Sequence, residues 1–156
     1  MDHDRFRNTY RQINDRACLF EKAILAGEGA CSRARRFNLA EREGVHCDDA
    51  SGHDRCRDLL TQLRQQGRFA LGLNAARSQL PHNKALRLQV GGLRGIQQTI
   101  GGGTPLSDLS TPPQITDIHG LIGQALATYG SLEQLPYREI LIQIQAYRGR
   151  KRRSRD

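Results

Sequence analysis

The sequence has no tryptophan, only four phenylalanines and four tyrosines, and no long apolar run. So few aromatic rings leave little surface on which the bases of single-stranded nucleic acid could stack. A membrane-spanning helix needs about 18 or more consecutive apolar residues, so we expect no membrane span. Hydrophobic residues make up 37% of the chain, below the roughly 45–50% of ordinary globular domains, which predicts a small core.

The first residues also lack the apolar stretch of a secretory signal peptide, because Met1–Arg5 leads into further polar sequence. We therefore expect the protein to remain in the cytoplasm. In that reducing compartment, four cysteines are more typical of metal ligands or catalytic thiols than of two disulfides.

The four cysteines are confined to one quarter of the chain, and the remaining hundred residues or so contain none. They are Cys18, Cys31, Cys47 and Cys56, separated by 12, 15 and 8 residues. Cys31 and Cys47 stand in polar sequence, where packing alone gives little reason for a cysteine. This grouping predicts that all four thiols ligate one metal site.

The spacing lacks the paired C-x₂₋₄-C knuckles of structural zinc sites and the known ferredoxin patterns. Single cysteines supplied from separate segments favour a four-thiolate iron–sulfur cluster of the [4Fe–4S] type, with zinc as the alternative cofactor. His53 is an alternative ligand within the same stretch. A third interpretation is that the cysteines are reduced and simply buried in a helical interaction protein.

Apolar periodicity predicts three helices in this part of the chain, with three of the cysteines near helix N-termini. The first helix is expected from about Asp15 to Ala26, with Gly27 as its stop. The second is expected from Cys31 or Ser32 to Gly44, and the third from after Ser51 or Asp54 to Gly67. Exposed N–H groups at helix starts would favour thiolates there, and arginines beside the cysteines would balance the charge of a cluster.

The later part of the chain predicts a short extended segment at Leu86–Val90, where apolar and polar residues alternate. The glycines at 91–95 lack a complete phosphate-loop motif, and we expect them to let the backbone turn closely against the cysteine-bearing half. Apolar stripes after Ile118 and after Tyr137, with Gly130 between them, predict a C-terminal helical hairpin. The expected fold is mainly α: a small helical domain with these features.

Composition divides the chain into four regions: the cysteine-bearing residues 1–90, a Gly/Pro-rich connector at 91–113, the helical hairpin at 114–147 and a basic tail at 148–156. The net charge is +8, and most of it lies in the tail, where six basic residues accompany one acid. Such a tail suits nucleic acid through attraction to phosphates. The candidate nucleic-acid-binding residues are Arg148, Arg150, Lys151, Arg152, Arg153 and Arg155.

No residues form an acid–base or nucleophilic set typical of catalysis, so the sequence favours a protein that is not an enzyme. It predicts a small intracellular iron–sulfur protein that serves electron transfer, redox sensing or metalloprotein maturation, with a protein as its partner. The alternative is a zinc-stabilised nucleic-acid-binding module that uses the arginine-rich tail.

Overall fold

The computed structural model describes residues 3–72, 80–103 and 109–148. These residues contain six α-helices and two strands: α1 (His3–Ile13), α2 (Glu21–Leu25), β1 (Ala34–Leu39), β2 (Arg42–Cys47), α3 (Ala50–Gln66), α4 (His82–Gly101), α5 (Ile118–Tyr129) and α6 (Tyr137–Ala146). A single 3₁₀ turn at Leu132–Gln134 joins α5 to α6. The predicted mainly α fold with a C-terminal helical hairpin is confirmed. No helix of the described residues has the length and apolar character needed to cross a membrane.

Helix α4 is the centre of the fold, and it packs against α2, α3, α5 and α6, most extensively against α6. One apolar core contains residues from both halves of the chain, among them Phe20, Leu59, Leu93, Ile122 and Ile140. The cysteine-bearing part and the C-terminal helices therefore share a core.

Two glycines allow α4 and α6 to approach closely. A Cβ atom at Gly91 would lie 2.5 Å from the Cα of Ile144, and one at Gly95 would lie 2.7 Å from the Cα of Ile140. Glycine costs about 1 kcal/mol relative to alanine inside a helix, and close packing offsets that cost here.

The expectation that the glycines at 91–95 turn the backbone closely against the cysteine-bearing half is wrong about the turn, because these residues are helical. Of these glycines, only Gly92 lies close to that half, where its Cβ would be 2.7 Å from the side chain of Leu63 of α3.

The extended segment predicted at Leu86–Val90 is also wrong, because these residues lie within α4. Residues 91–101, which composition placed in the connector, continue the same helix. The apolar alternation arises because a helix surrounded by four others buries several faces and loses a clear helical period. Residues 104–108 of the predicted connector lie outside the described residues.

The helix predicted from Cys31 or Ser32 to Gly44 is instead the antiparallel hairpin of β1 and β2. Its two turn residues, Ala40 and Glu41, both have positive φ, at 50° and 68°, as a tight two-residue hairpin turn requires. Tyr10 of α1 packs on Phe37 of β1, with ring centroids 5.8 Å apart. Tertiary packing of this kind overrides the helix propensity of the segment.

The other two predicted N-terminal helices fare differently. Of the helix expected from Asp15 to Ala26, only Glu21–Leu25 is helical, and α1 was not predicted at all. Gly27 does follow the end of α2, with φ of 77°, as expected of a helix stop. The third predicted helix is confirmed as α3, although its N-cap is Asp49, whose side chain accepts a hydrogen bond from the N–H of Gly52.

Candidate metal centre

All four cysteines line one cavity, although they come from four separate segments of the chain. Cys18 lies in the loop between α1 and α2, and Cys31 lies in the loop before β1. Cys47 is the last residue of β2, and Cys56 lies in the second turn of α3. The expectation that three of them lie at or near helix N-termini is therefore wrong in most respects: Cys31 precedes a strand, Cys56 lies one turn beyond the start of α3, and only Cys18 comes shortly before the start of a helix, α2.

The hairpin strands place Cys47 beside Cys18. The N–H of Cys18 donates to the carbonyl of Val45 at 2.9 Å, and the N–H of Cys47 donates to the carbonyl of Arg16 at 2.8 Å. Through this short antiparallel bridge, the loop that carries Cys18 pairs with β2. Ala34 pairs with Cys47 across the hairpin, and its N–H donates to the carbonyl of Cys31, so Cys31 is held next to the same strand end.

The C-terminal half completes the cavity. Ile118, the first residue of α5, lines it, and the N–H of Ile118 donates to the carbonyl of Ala30 at 2.8 Å. The carboxylate of Asp117 accepts the N–H of Ser32 at 2.9 Å. Although partial burial opposes ionisation, the hydrogen bonds from Ser32 lower the pKa of Asp117. The loop that carries Cys31 is thus held in place by residues some 85 positions further along the chain.

Burial dominates the acid–base behaviour of two of the thiols. It raises the pKa of both Cys18 and Cys56 to about 12. The backbone N–H of Phe20 hydrogen-bonds the sulfur of Cys18 and partly offsets that rise. The charges of the other three thiols act on Cys18, which indicates that all four lie within electrostatic range of one another.

Two arginines are close to the thiols. Arg33 lines the cavity, and its Nε lies 3.7 Å from a carboxylate oxygen of Asp49. Arg55 is near enough to lower the pKa of Cys56 against the effect of burial. The guanidinium of Arg16 donates to the carbonyl oxygen of Cys47 at 3.3 Å. The remaining arginines near the cysteines in sequence pair with carboxylates: Arg35 with Asp48, Arg36 with Glu43, and Arg57 with Asp54.

His53 also lines the cavity, but both of its ring nitrogens have partners. Its Nε2 lies 3.0 Å from the carbonyl oxygen of Ala17, and its Nδ1 lies 3.2 Å from a guanidinium nitrogen of Arg57. This pattern requires the neutral tautomer, with Nε2 donating and Nδ1 accepting. Ligation by His53 would therefore break one of these two contacts.

The cavity is small, with about 20 Å³ of space, which is room for about one water molecule. Across the described ranges 3–72, 80–103 and 109–148, no three histidine, cysteine or carboxylate side chains are arranged so that they could hold a metal ion. All four cysteines are free thiols. Three of them, Cys18, Cys31 and Cys56, also pack against the apolar core.

Sequence reasoning missed the residues that complete the cavity from a distance. Asp117 stands before an apolar helical stripe, which is a typical N-cap signal, but nothing in the sequence relates it to Ser32. Ile118 was expected only as a member of the hairpin stripe. Both were missed because the contact joins segments that are far apart in the chain.

Only the beginning of the predicted nucleic-acid-binding tail can be placed. The guanidinium of Arg148 donates to the carbonyl oxygens of Gln145 and Tyr147. The remaining candidates, Arg150, Lys151, Arg152, Arg153 and Arg155, lie outside the described residues.

Comparison with known proteins gives no relative for this chain: no family model matches it, and neither the curated proteins nor the solved structures contain a match. Its function must therefore be argued from the site itself.

Proposed function

We propose that the four cysteines hold an iron–sulfur cluster and that the protein serves electron transfer, redox sensing or the maturation of another metalloprotein. One observation carries the proposal: Cys18, Cys31, Cys47 and Cys56 come from four segments and line a single cavity. Backbone hydrogen bonds hold the segments of Cys18 and Cys47 against each other, and contacts with α5 and Asp117 hold the loop of Cys31. Four thiolates are the usual ligand set of [4Fe–4S] clusters.

The surroundings of the thiols support this proposal. The N–H of Phe20 that bonds the Cys18 sulfur is a contact of the kind that tunes cluster potentials. Arg33 at the cavity and Arg55 beside Cys56 supply positive charge to balance that of a cluster with four thiolates. The cluster would contribute reversible one-electron chemistry, and the chain's own groups would set its potential and its exposure to a protein partner.

Zinc is the less favoured cofactor. A tetrahedral zinc with Zn–S bonds of about 2.3 Å holds its sulfurs roughly 3.8 Å apart, usually through paired cysteine knuckles that this sequence lacks. Within the described residues no group is arranged to hold a metal ion, so either cofactor requires the thiols to shift. In a cluster each thiolate binds a different iron, so the sulfurs stand further apart than around one ion. The cavity of about 20 Å³ must widen for a cluster to enter, which requires a shift of the segments that carry the thiols.

The cytoplasm remains the expected compartment, because its reducing conditions keep thiols available as ligands. Binding of nucleic acid by the arginine-rich tail stays a prediction. If the tail binds nucleic acid, the affinity of the protein for nucleic acid should fall with rising salt and should fall when residues 148–156 are deleted.

The test is the iron, sulfide and zinc content of the protein purified without oxygen, together with its absorbance spectrum. Iron and sulfide with a broad visible band would support the proposal, and replacing any one of the four cysteines by serine should abolish that band. Stoichiometric zinc would favour the zinc-stabilised binding module. Protein that binds neither metal after anaerobic reconstitution would show that the proposal is wrong.

A further inference from the structure

A second cavity, larger than the first, opens between α1, α2, α3 and the start of α4. Its volume is about 580 Å³, within the roughly 300–1,000 Å³ typical of small-molecule sites. Leucines, including Leu19, Leu60 and Leu88, form an apolar part of its lining. A cavity of this size with an apolar surface is suited to an organic molecule rather than to a bare ion.

The charged residues of this cavity all have the same sign. Among the described residues that line it, five are basic and none is acidic: Arg7, Arg11, Lys22, Arg57 and Arg64. Arg57 also pairs with Asp54 at 3.0 Å, and the ammonium of Lys22 lies 3.1 Å from the ring of His82. Three separate helices supply these cations, so folding gathers the charge into the cavity.

We propose that this cavity is a binding site for a small organic phosphate, with the phosphate groups on the arginines and the apolar part of the ligand on the leucines. Guanidinium groups match phosphate oxygens through paired, charge-assisted hydrogen bonds. Four of the five cations are arginines, which favours phosphate over a ligand with a single carboxylate. The site does not depend on what the cysteines bind.

The shape and lining of the cavity argue against single-stranded nucleic acid as its occupant. Such strands are usually held by aromatic side chains on which bases stack, and none of the described residues that line this cavity is aromatic. The cavity also ends against buried residues, since Leu88 is 3% exposed. A compact ligand with an apolar part could contact this buried leucine, whereas a strand without stacking partners gains little there.

The phosphate site is a neighbour of the cysteine cavity. Leu19 lines both cavities. Arg57 of the phosphate site contacts His53, which lines the cysteine cavity. A bound ligand would therefore contact Leu19, which follows Cys18 directly in the chain.

The experiment is a calorimetric titration of the full chain with three probes: ATP, inorganic pyrophosphate and adenosine. We expect saturable one-to-one binding of ATP, weaker binding of pyrophosphate because it lacks the apolar part, and no binding of adenosine. Absence of saturable ATP binding would overturn the proposal. A complex with an acidic peptide such as polyglutamate, formed in preference to ATP, would also overturn it.

Variants locate the binding. Replacing both Arg7 and Arg11 by alanine should weaken ATP binding roughly tenfold or more, the equivalent of one lost hydrogen bond between charged groups. Thr61→Trp should block the cavity without changing its charge, since Thr61 is an exposed residue of the lining. Arg138→Ala, an exposed arginine of α6 outside the cavity, is the matched control and should bind normally. Equal weakening by Arg138→Ala, or full binding by Thr61→Trp, would show that ATP binds elsewhere through general attraction.

Discussion

The cysteine region, residues 14–56, and the helical core, formed by α4, α5 and α6, are held together in different ways. In the helical core, long helices bury apolar side chains and approach closely at Gly91 and Gly95. The cysteine region has the five-residue α2, a two-stranded hairpin, loops and the first two turns of α3, and many of its contacts are hydrogen bonds between side chains and the backbone.

The polar contacts behind the cavity illustrate this difference. Asn14 is 5% exposed, and its amide donates to the carbonyl of Val45 at 2.9 Å. The carboxylate of Glu21 accepts hydrogen bonds from the N–H of Val45 and the hydroxyl of Tyr10. The pKa of Tyr10 is raised mainly by burial and in addition by this carboxylate. Such hydrogen bonds add less net stability than apolar burial does. We therefore expect the stability of the cysteine region to depend on the proposed metal, whereas that of the helical core does not.

Cysteine replacement tests this difference and has the largest expected effect. Under the proposed function, Cys56→Ser removes a ligand and should lower the affinity for iron. The expected loss exceeds the roughly 10–100-fold that follows when only a ligand's hydrogen-bond partner is removed. Amide hydrogen exchange should then become faster in β1, β2 and the loops around Cys18 and Cys31, while α4 and α6 keep their protection.

Thr61→Ala, on the exposed side of the same helix, is the control and should retain iron. Equal loss of protection in both regions of Cys56→Ser would contradict the comparison, because it would mean that they unfold as one unit.

Close packing of the helical core predicts the next effect. Gly95→Ala should lower the free energy of unfolding by about 1–3 kcal/mol, because the new methyl group meets the backbone of Ile140 and the helices must move apart. Denaturant unfolding measures the change.

Gly123→Ala is the matched control within α5, since its Cβ would meet only Arg55 at an ordinary 3.8 Å. It should be neutral or stabilise by up to about 1 kcal/mol through helix propensity. Equal stability of the two variants would contradict the role given to Gly95.

The contact between the two regions predicts a smaller effect. Asp117→Ala should destabilise the protein by about 1–2 kcal/mol, because the N–H of Ser32 loses a charged acceptor. The lowered pKa of Asp117 sets the pH dependence of this effect. The stability that the ionised carboxylate contributes is fully present above the usual carboxyl pKa, and it is lost as the pH falls through the pKa of Asp117 in the folded protein.

Thermal unfolding from neutral to acidic pH measures this effect, with Asp58→Ala, an exposed carboxylate of α3, as the control. The difference between wild type and Asp117→Ala should shrink at acidic pH. A constant difference would exclude the carboxylate charge as its cause.

The smallest effect is expected at His53. His53→Gln should retain the iron of the wild type, because the contacts of both ring nitrogens leave neither available as a ligand. Iron content and the visible spectrum check this. Iron loss similar to that of Cys56→Ser would mean that the histidine is a ligand.

The sequence predicted those parts of the fold in which a local signal agrees with the tertiary environment. The stripes of α5 and α6 have one buried face each, so their period is visible in the sequence. Helix α4 is buried on several sides, which hides its period. The hairpin of β1 and β2 depends on packing against α1, so residues 31–44 have no local signal for it.

The clustering of the cysteines in the sequence predicted that they come together, and all four line one cavity; their role as metal ligands stays a prediction. Cofactor and function stay predictions. The predicted positions of Cys18 and Cys31 at the starts of helices were wrong, because local helix propensity predicted helices over segments that form loops and a strand. The basic residues of the second cavity were not grouped in advance, since Arg7, Lys22 and Arg64 meet only after folding.

The hydrogen bond from Ser32 to Asp117 spans 85 positions, and this has a consequence for biosynthesis. A ribosome delivers all four cysteines well before Asp117 and Ile118 exist, so a nascent chain presents its thiols without the segment that closes over them. Contacts of such long sequence separation form late in folding. Insertion of the proposed cluster would therefore follow translation of α5, and a chain arrested before residue 117 should expose thiols that the finished protein partly covers.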